Sequence, residues 1–168
     1  MTKLHITQGE YATGNDPSAV ISTLLGSCVS CCLWDSEAGV GGMNHILLAR
    51  SKSDDPLQNS SGVNAMEILI NALIKLGANR KNLAAKAFGG AQMVSGLSDI
   101  GAQNAEFTVN FLAQEGIPLV TQSFGGQQAR NLKFWPASGR VIQKLTDSEV
   151  RVVELAPAVQ PGHDVELF

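Results

Sequence analysis

Two residues of this sequence, Cys28 and His45, have the types and surroundings that thiol chemistry requires. Cys28 follows the apolar stretch Val20–Leu25 and the pair Gly26-Ser27. Glycine lets the backbone turn sharply and lets a reactant approach closely, so the thiol lies where backbone N–H groups are accessible. An imidazolium beside a cysteine stabilises the thiolate and can later protonate a leaving group. The pair therefore predicts nucleophilic hydrolysis of an amide or ester.

Two strands joined by a turn are expected to position this pair. Positions 28–34 are apolar except for Ser30, and a second, largely apolar stretch at 40–48 carries His45. A turn over 35–39 would make these strands antiparallel neighbours and bring Cys28 and His45 side by side. Stretch 28–34 is apolar at nearly every position, which predicts a strand that is covered on both faces.

The three cysteines also allow other functions. Cys31 and Cys32 lie inside the predicted strand, and buried cysteines usually behave as small hydrophobic residues. Cys28 and Cys31 form a C-x-x-C pattern, but in redox proteins this pattern opens a helix, whereas here it lies in a strand. A structural zinc site would need a fourth ligand that the sequence does not supply. We therefore predict neither a metal nor a cofactor.

Composition limits the class of protein. The 168 residues are 44% hydrophobic and 16% charged, with 17 glycines and a net charge of −3. This favours a compact domain and gives no electrostatic reason to bind nucleic acid or an anionic membrane. No apolar run approaches the ~20 residues of a membrane span. We expect a cytoplasmic protein with one domain over 1–155 and a loosely ordered extension over 156–168.

The remaining pattern predicts an α+β fold. Apolar spacing predicts a helix over 63–76, and Asp99 is a suitable N-cap for a second helix over 100–115 that stops at Gly116. Residues 49–62 are predicted to form a polar loop, and 9–17 to be rich in turns. Arg130 and Gln92 are candidates for lining a groove, and a position on the solvated surface is preferred for each. Further strands are predicted at 5–7, 20–25, 83–88, 117–123, 129–134 and 140–145, the last three as a meander.

Several motifs together resemble the chemoreceptor glutamine deamidase (CheD) family. They run in family order over residues 5–147, and the combination is more specific than any one piece. The matching stretches are Thr-Leu-Leu-Gly-Ser-Cys-Val-Ser at 23–30, Leu-Trp-Asp at 33–35, Gly-Gly-Met-Asn-His-Ile-Leu-Leu at 41–48, Phe-Gly-Gly-Ala at 88–91, Asp-Ile-Gly-Ala-Gln-Asn at 99–104, Phe-Gly-Gly at 124–126 with Ala-Arg at 129–130, and Ser-Gly-Arg-Val at 138–141.

The resemblance implies a fold, a reaction and partners. The expected fold is a β-sandwich-like core of mixed strands flanked by two main helices, similar to bacterial toxin deamidases. The expected reaction converts receptor glutamine side chains to glutamate, with Cys28 as nucleophile through a thioester and His45 as general acid and base. His45 is expected to hold the thiolate as an ion pair. The implied partners are the cytoplasmic helices of chemotaxis receptors and, in some members, a CheC-type phosphatase.

The remaining site residues stay open at this point. The family places a hydroxyl residue a few positions before the cysteine to orient the histidine, and either Ser22 or Thr23 can fill that role. Adjacent strand residues point to opposite faces, so only one of them is expected to contact His45. The sequence also offers candidates for binding the oxyanion or the substrate, which are Gly26, Ser27, Gly89 and Gly90.

Two other functions compete with deamidation. A member of the family could act only as an adaptor that binds receptors or a CheC-type phosphatase. A thioester can also form from an ester, so hydrolysis of receptor methyl esters is a second enzyme alternative.

Overall fold

The computed structural model describes residues 2–48, 56–93, 99–146 and 165–168. Within these ranges the chain forms ten strands, two α-helices and one short 3₁₀ helix. In chain order they are β1 (Lys3–His5), β2 (Tyr11–Gly14), β3 (Val20–Leu25), β4 (Val29–Asp35), β5 (Val40–Asn44), α1 (Pro56–Lys75), the 3₁₀ helix (Arg80–Asn82), β6 (Ala84–Gly89), α2 (Ile100–Glu115), β7 (Leu119–Phe124), β8 (Ala129–Trp135), β9 (Arg140–Thr146) and β10 (Val165–Leu167).

The strands form two five-stranded mixed sheets, which confirms the predicted α+β class with a sandwich-like core. Sheet A has the order β1-β3-β8-β9-β10, and sheet B has the order β2-β5-β4-β6-β7. Most neighbours are antiparallel, but β1 pairs with β3 and β6 pairs with β7 in parallel. The two helices pack against sheet B.

Strand β4 separates two hydrophobic cores, as its continuous apolar character predicted. Cys32 points between the two sheets with Phe88 and Phe134. Cys31 and Leu33 point the other way, into the core shared with α1 and α2. Every residue of β4 except Trp34 is buried. Cys28 lies one step before β4 and joins the inter-sheet core.

The second helix matches its prediction at both ends. Helix α2 runs from Ile100 to Glu115, and the Asp99 side chain accepts a hydrogen bond from the Ala102 N–H at 2.9 Å. Gly116 ends the helix in a left-handed conformation with φ of 70°. Such a conformation is accessible to glycine without the Cβ penalty.

The first helix is longer than predicted. It begins at Pro56, so residues 56–62 are helical and the predicted 49–62 loop is wrong over that part. Proline fits the first helical position because its missing N–H has no partner there and its φ is already helical. Residues 49–55 lie outside the described residues.

Three further expectations need correction. Residues 11–14 form strand β2 inside the segment 9–17 that was predicted to be rich in turns. Strand β7 belongs to sheet B, whereas β8 and β9 pair in sheet A, so the three do not form a meander. Arg130 is 4% exposed because residues 130, 132 and 134 of β8 face inward, and its Nε donates to Gln143 Oε1 at 2.8 Å.

The end of the chain has more order than a loose extension. Strand β10 pairs antiparallel with β9, and Phe168 exchanges two backbone hydrogen bonds with Val141. The Phe168 ring contacts Phe88 at a centroid distance of 5.2 Å. Residues 147–164 lie outside the described residues, so the domain boundary at 155 stays a prediction.

We expect the substitution Gly89→Ala to destabilise the fold strongly. Gly89 has φ of +116°, and a Cβ there would overlap the Cys28 carbonyl oxygen. Backbone strain of ~1–2 kcal/mol and overpacking of ~1–3 kcal/mol predict a loss of about 2–5 kcal/mol in the free energy of unfolding, measured by urea denaturation. Gly39→Ala is the control, since Gly39 also has positive φ, of +69°, but meets no atom within 4 Å. Equal losses in both variants would show that strain alone, not the contact with Cys28, sets the cost.

Candidate active site

The nucleophile candidate lies in the turn that connects the two sheets. Strand β3 of sheet A ends at Leu25, and β4 of sheet B begins at Val29. Cys28 occupies the last position of this turn and is 8% exposed. Because the turn crosses between the sheets, Cys28 sits where residues from both can reach it.

His45 lies just beyond β5, next to β4. The Val29 N–H donates to Ile46 O at 3.0 Å, and the Ile46 N–H donates to Val29 O at 2.7 Å. In this register Cys28 and His45 are diagonal neighbours on one face, where Cα atoms are separated by about 7–8 Å and long side chains can meet. No hydrogen bond joins the thiol to the imidazole within the described ranges, and catalytic contacts are often long before substrate binds.

The structure brings Thr23, not Ser22, to His45. Thr23 Oγ1 lies 2.8 Å from His45 Nδ1, and both residues are buried. Ser22 points to the outer face of sheet A, where its Oγ lies 3.0 Å from Nδ1 of the exposed His5. The alternation of β3 therefore decides between the two hydroxyl candidates.

The Thr23 hydroxyl also sets the tautomer of His45. Thr23 Oγ1 donates to the Ile6 carbonyl at 2.7 Å, and a hydroxyl has only one hydrogen to donate. Its contact with His45 must then be accepted from Nδ1–H. Neutral His45 carries its proton on Nδ1, and Nε2 keeps a free lone pair that can accept a proton from the thiol.

The backbone before β4 is held through its carbonyl groups. The oxygens of Gly26, Ser27 and Cys28 accept hydrogen bonds from the Ala91 N–H, the Asn104 side chain and the Gly90 N–H, at 3.0, 2.8 and 2.9 Å respectively. In a trans peptide the C=O and N–H groups point in opposite directions. The N–H groups of Ser27 and Cys28 therefore point away from these contacts, and neither donates to any residue that the structure describes.

The four oxyanion candidates thus have different surroundings. Ser27 and Cys28 present free N–H groups, while the Gly90 N–H is already bonded to Cys28 O. Gly89 packs its Cα against the same carbonyl. Gly26 lies under the Met93 side chain, whose Cγ would be 3.3 Å from a Cβ at position 26. Gly89 and Gly90 therefore both contact the Cys28 carbonyl, and the Gly90 N–H is occupied by that contact.

Burial acts on both titratable groups of the site. It raises the pKa of the Cys28 thiol and is the main cause of a lowered pKa at His45, where the nearby His5 adds to the lowering and Glu10 opposes it. Both directions favour the uncharged forms. Burial therefore favours the thiol and the neutral imidazole in the protein without substrate, and the ion pair expected from the resemblance stays a prediction that the reactivity of the thiol tests.

We expect the alkylation of Cys28 by iodoacetamide to be slow at pH 7 and to accelerate with pH. Only the thiolate reacts, so a raised pKa predicts about a tenfold faster rate per pH unit up to an inflection above that of a free thiol. Peptide mass spectrometry separates Cys28 from Cys31 and Cys32, which have no exposed surface and should stay unlabelled in the folded protein. A rate that is flat between pH 6 and 9 would instead indicate a preformed thiolate–imidazolium pair.

Comparisons with known proteins give evidence on the family of this chain. A family model described as CheD chemotactic sensory transduction matches residues 47–145, more than half of the chain. "Probable chemoreceptor glutamine deamidase CheD" of Rhizobium johnstonii is 52% identical over 98% of this chain and 92% of its own length. The protein of the same name from Caulobacter sp. strain K31 is 49% identical over 99% of this chain and 93% of its own length. The chain belongs to the CheD family.

Solved structures show a weaker likeness to this CheD protein. The Bacillus licheniformis hypothetical protein YfiH has a TM-score of 0.45 at 12% identity, covering 67% of this chain and 49% of its own. A Neisseria meningitidis protein has a TM-score of 0.48 at 6% identity, and the match covers 76% of this chain and 63% of the Neisseria chain.

A pocket of about 360 Å³ opens beside His45. Its walls come from β2 and the turn before it, from the segment 44–47 and from the middle of α1. Three apolar side chains on its wall are exposed, and these are Tyr11, Leu47 and Ile68. The lining residues are Gln8, Gly9, Glu10, Tyr11, Asn44, His45, Ile46, Leu47, Ser61, Asn64, Ala65 and Ile68.

The geometry argues against the redox alternative for this CheD protein. Cys28 points between the sheets while Cys31 points toward the helices, so their side chains lie on opposite faces of β4. All three cysteines are free.

Across the described part of the chain, no group of three or more His, Cys, Asp or Glu residues is arranged to hold a metal ion. No helix of the described residues is long and apolar enough to cross a membrane.

Sequence reasoning missed two contributors to the candidate site. The Ile6 carbonyl fixes the Thr23 hydroxyl, and a main-chain group at that distance leaves no signal in a residue pattern. Asn104 binds the turn before Cys28. It lies in the motif 99–104 that carried part of the resemblance, and a polar residue on the buried side of a predicted helix is a usable signal.

Proposed function

We propose that this protein deamidates glutamine side chains of chemotaxis receptors in the cytoplasm. Cys28 acts as the nucleophile, His45 as general base and acid, and Thr23 orients His45. The observation that supports this most is the chain of hydrogen bonds from His45 Nδ1 through Thr23 Oγ1 to Ile6 O. It leaves Nε2 unprotonated on the side of the ring that a thiol can use.

The first half of the reaction forms a thioester. Cys28 Sγ transfers its proton to His45 Nε2 as the sulfur attacks the carboxamide carbon, since burial favours the uncharged form of both groups. The resulting oxyanion is stabilised by the free N–H groups of Ser27 and Cys28. His45 Nε2 then returns the proton to the amide nitrogen, and ammonia leaves.

The second half releases glutamate. His45 Nε2 takes a proton from water, and the hydroxide attacks the thioester carbon. The thiolate leaves and takes back the proton from His45. Every step uses groups of this chain and water, so the reaction needs neither a metal nor a cofactor.

The pocket beside His45 supports a helical receptor segment as the substrate. Tyr11, Leu47 and Ile68 are 47%, 37% and 41% exposed, and they surround an opening next to the catalytic histidine. An amphipathic helix binds such a groove through apolar side chains spaced along one face. The target glutamine would then lie at the edge of that face.

The test incubates the purified protein with a receptor cytoplasmic fragment and follows Gln-to-Glu conversion by peptide mass spectrometry. We expect conversion at specific glutamines, with release of one ammonia per site. A fragment carrying glutamate methyl esters at the same positions is the parallel substrate. Faster ester than amide hydrolysis would favour the methylesterase, and binding without any conversion would favour the adaptor, including one for a CheC-type phosphatase.

A further inference from the structure

The side chain of Asn104 connects the two chain segments that carry the site. Asn104 lies in the second turn of α2 and is 1% exposed. Its Oδ1 accepts a hydrogen bond from the Leu48 N–H at 3.0 Å. Its Nδ2 donates to the Ser27 carbonyl at 2.8 Å. Ser27 directly precedes Cys28, and Leu48 lies three residues after His45.

The positions of these two contacts follow from the sheet register. The bridge between Val29 and Ile46 is a mutual pair of hydrogen bonds. In an antiparallel ladder the next such pair lies two residues further on each strand, which here is Ser27 with Leu48. The Leu48 N–H and the Ser27 carbonyl do not bond to each other, because the Asn104 carboxamide lies between them and satisfies both.

The carboxamide therefore acts as a spacer in the ladder. It separates the strands at the level of Cys28 and satisfies the Leu48 N–H and the Ser27 carbonyl, while the Ser27 N–H keeps no partner among the described residues. Cys28 consequently lies in a gap between two strands that are paired on one side of it and held apart on the other. Both polar atoms of the carboxamide bond to groups outside α2, namely the Leu48 N–H and the Ser27 carbonyl, so its role is not confined to the helix.

The same contact orients the Cys28 backbone. The Ser27 carbonyl and the Cys28 N–H belong to one planar peptide and point in opposite directions. By binding the carbonyl, Asn104 turns the Cys28 N–H away from its own side chain and out of the gap that the carboxamide fills. That N–H is one of the free donors available to an oxyanion.

Helix α2 is anchored firmly enough to hold this position. The Asp99 side chain caps its first turn. Gly101 packs against the backbone of Gly90 and Ala91, where a Cβ would overlap carbonyl oxygens. Gly90 and Ala91 in turn donate to Cys28 O and Gly26 O. The helix thus contacts the turn 26–28 both through Asn104 and through this loop.

We propose that Asn104 is a positioning residue that holds the Cys28 thiol and N–H in register with His45. This rests on the proposed deamidation. Asn104 has almost no exposed surface, so it acts on the reaction through Ser27 and Leu48 and does not contact the receptor. Its loss should lower kcat and leave KM nearly unchanged.

The experiment compares Asn104→Ala and Asn104→Asp with wild type in the receptor-fragment assay, with rates normalised to the folded fraction from circular dichroism. A misplacement of about 1 Å can cost ~10²-fold in rate, so we expect kcat to fall by about that factor with KM within about threefold. Thr108→Val is the matched control. Thr108 is buried one turn later on α2, and its hydroxyl donates to Asn104 O. Among the described residues, no hydrogen bond joins its side chain to the turn or to the His45 segment.

The pH profile of Asn104→Asp separates positioning from general destabilisation. An ionised Asp keeps an acceptor for the Leu48 N–H but presents an oxygen to the Ser27 carbonyl. Protonation supplies the missing donor, and burial raises the pKa of a carboxyl group. We expect the ratio of Asp variant to wild-type kcat to rise as pH falls from 8 to 5.5. Asn104→Asp has nearly the same shape as the wild-type side chain, so the proposal can still be tested with it if Asn104→Ala does not fold.

Three outcomes are distinguishable. A loss of kcat in both Asn104 variants but not in Thr108→Val, with recovery of the Asp variant at low pH, supports the positioning role. Variants that lose activity only in proportion to their unfolded fraction overturn it and leave the deamidase intact. A wild-type protein that converts no glutamine overturns both, since no reaction would remain for Asn104 to serve.

Discussion

Replacing Cys28 with alanine is expected to lower receptor glutamine conversion by at least ~10⁴-fold, because the thioester route then has no nucleophile. Receptor binding should change little, since the removed thiol is 8% exposed and contributes almost no surface. Quantitative peptide mass spectrometry over an extended incubation can measure a decrease in conversion of this size.

The matched control for this substitution is Cys31→Ala. Cys31 lies three residues away on the same strand, but its side chain has no exposed surface and faces the helix-side core. We expect the rate to stay within about threefold, with a modest stability loss from the small cavity. A Cys28 variant that retains a tenth of wild-type conversion would exclude this thiol as the nucleophile.

His45→Ala should lower the rate of glutamine conversion nearly as much as Cys28→Ala. The double variant should be no slower than either single variant. Residues that act as one unit in a covalent mechanism give strongly non-additive losses. Additive losses would show that the two side chains serve separate steps.

Replacing Thr23 with valine is expected to lower kcat by ~10²–10⁴-fold, in the range seen when a catalytic histidine loses the partner that fixes its tautomer. Valine has nearly the same volume, so the inter-sheet packing is kept while the acceptor for His45 Nδ1–H is lost. Nitrogen NMR of the His45 imidazole should show that the neutral ring no longer carries its proton mainly on Nδ1. KM should stay within about threefold.

Two conservative changes bracket this prediction. Thr23→Ser keeps the hydroxyl and should retain most activity. Ser22→Ala removes the neighbouring hydroxyl on the outer face, where it contacts His5, and should leave the rate within about twofold. If Ser22→Ala were as damaging as Thr23→Val, His45 would have to be oriented by a route other than the observed hydrogen bond.

The choice between Ser22 and Thr23 shows where sequence reasoning ended. Strand β3 was predicted with its observed bounds, but Val20 and Leu24 are apolar as well as Ile21 and Leu25. This pattern does not reveal the inward face. Leu24 proves to be 51% exposed while Ile21 is fully buried. Only the position of the second sheet decides which residues turn inward, and that information is not local.

The local elements were predictable for a physical reason. Helix α2 carries its own signals, with a carboxylate cap at Asp99 and a glycine stop at Gly116. The turn between β4 and β5 likewise has its own acceptor, since Asp35 Oδ1 binds the N–H groups of Glu37 and Ala38. Such interactions involve neighbours in sequence, so they can be read from it.

The pairing of β7 and the role of Asn104 were not predictable in this way. Strand β7 follows a helix and pairs in parallel with β6, whereas its glycine-rich connection to β8 is also typical of a hairpin. Asn104 lies 56 residues from Leu48 and 77 from Ser27, so its contacts exist only after the sandwich has formed.

The proposed catalytic residues come from both sheets of the sandwich, with Thr23 in sheet A and His45 beside sheet B. Catalytic competence should therefore depend on the sheets being docked, and not on either sheet alone. Partial separation would expose the Cys28 thiol to reagents at the same moment that it removes the histidine's orienting partner. Chemical reactivity of the thiol and enzymatic turnover would then change in opposite directions in mild denaturant. A half-assembled copy of the protein would carry a reactive sulfur but would modify no glutamine.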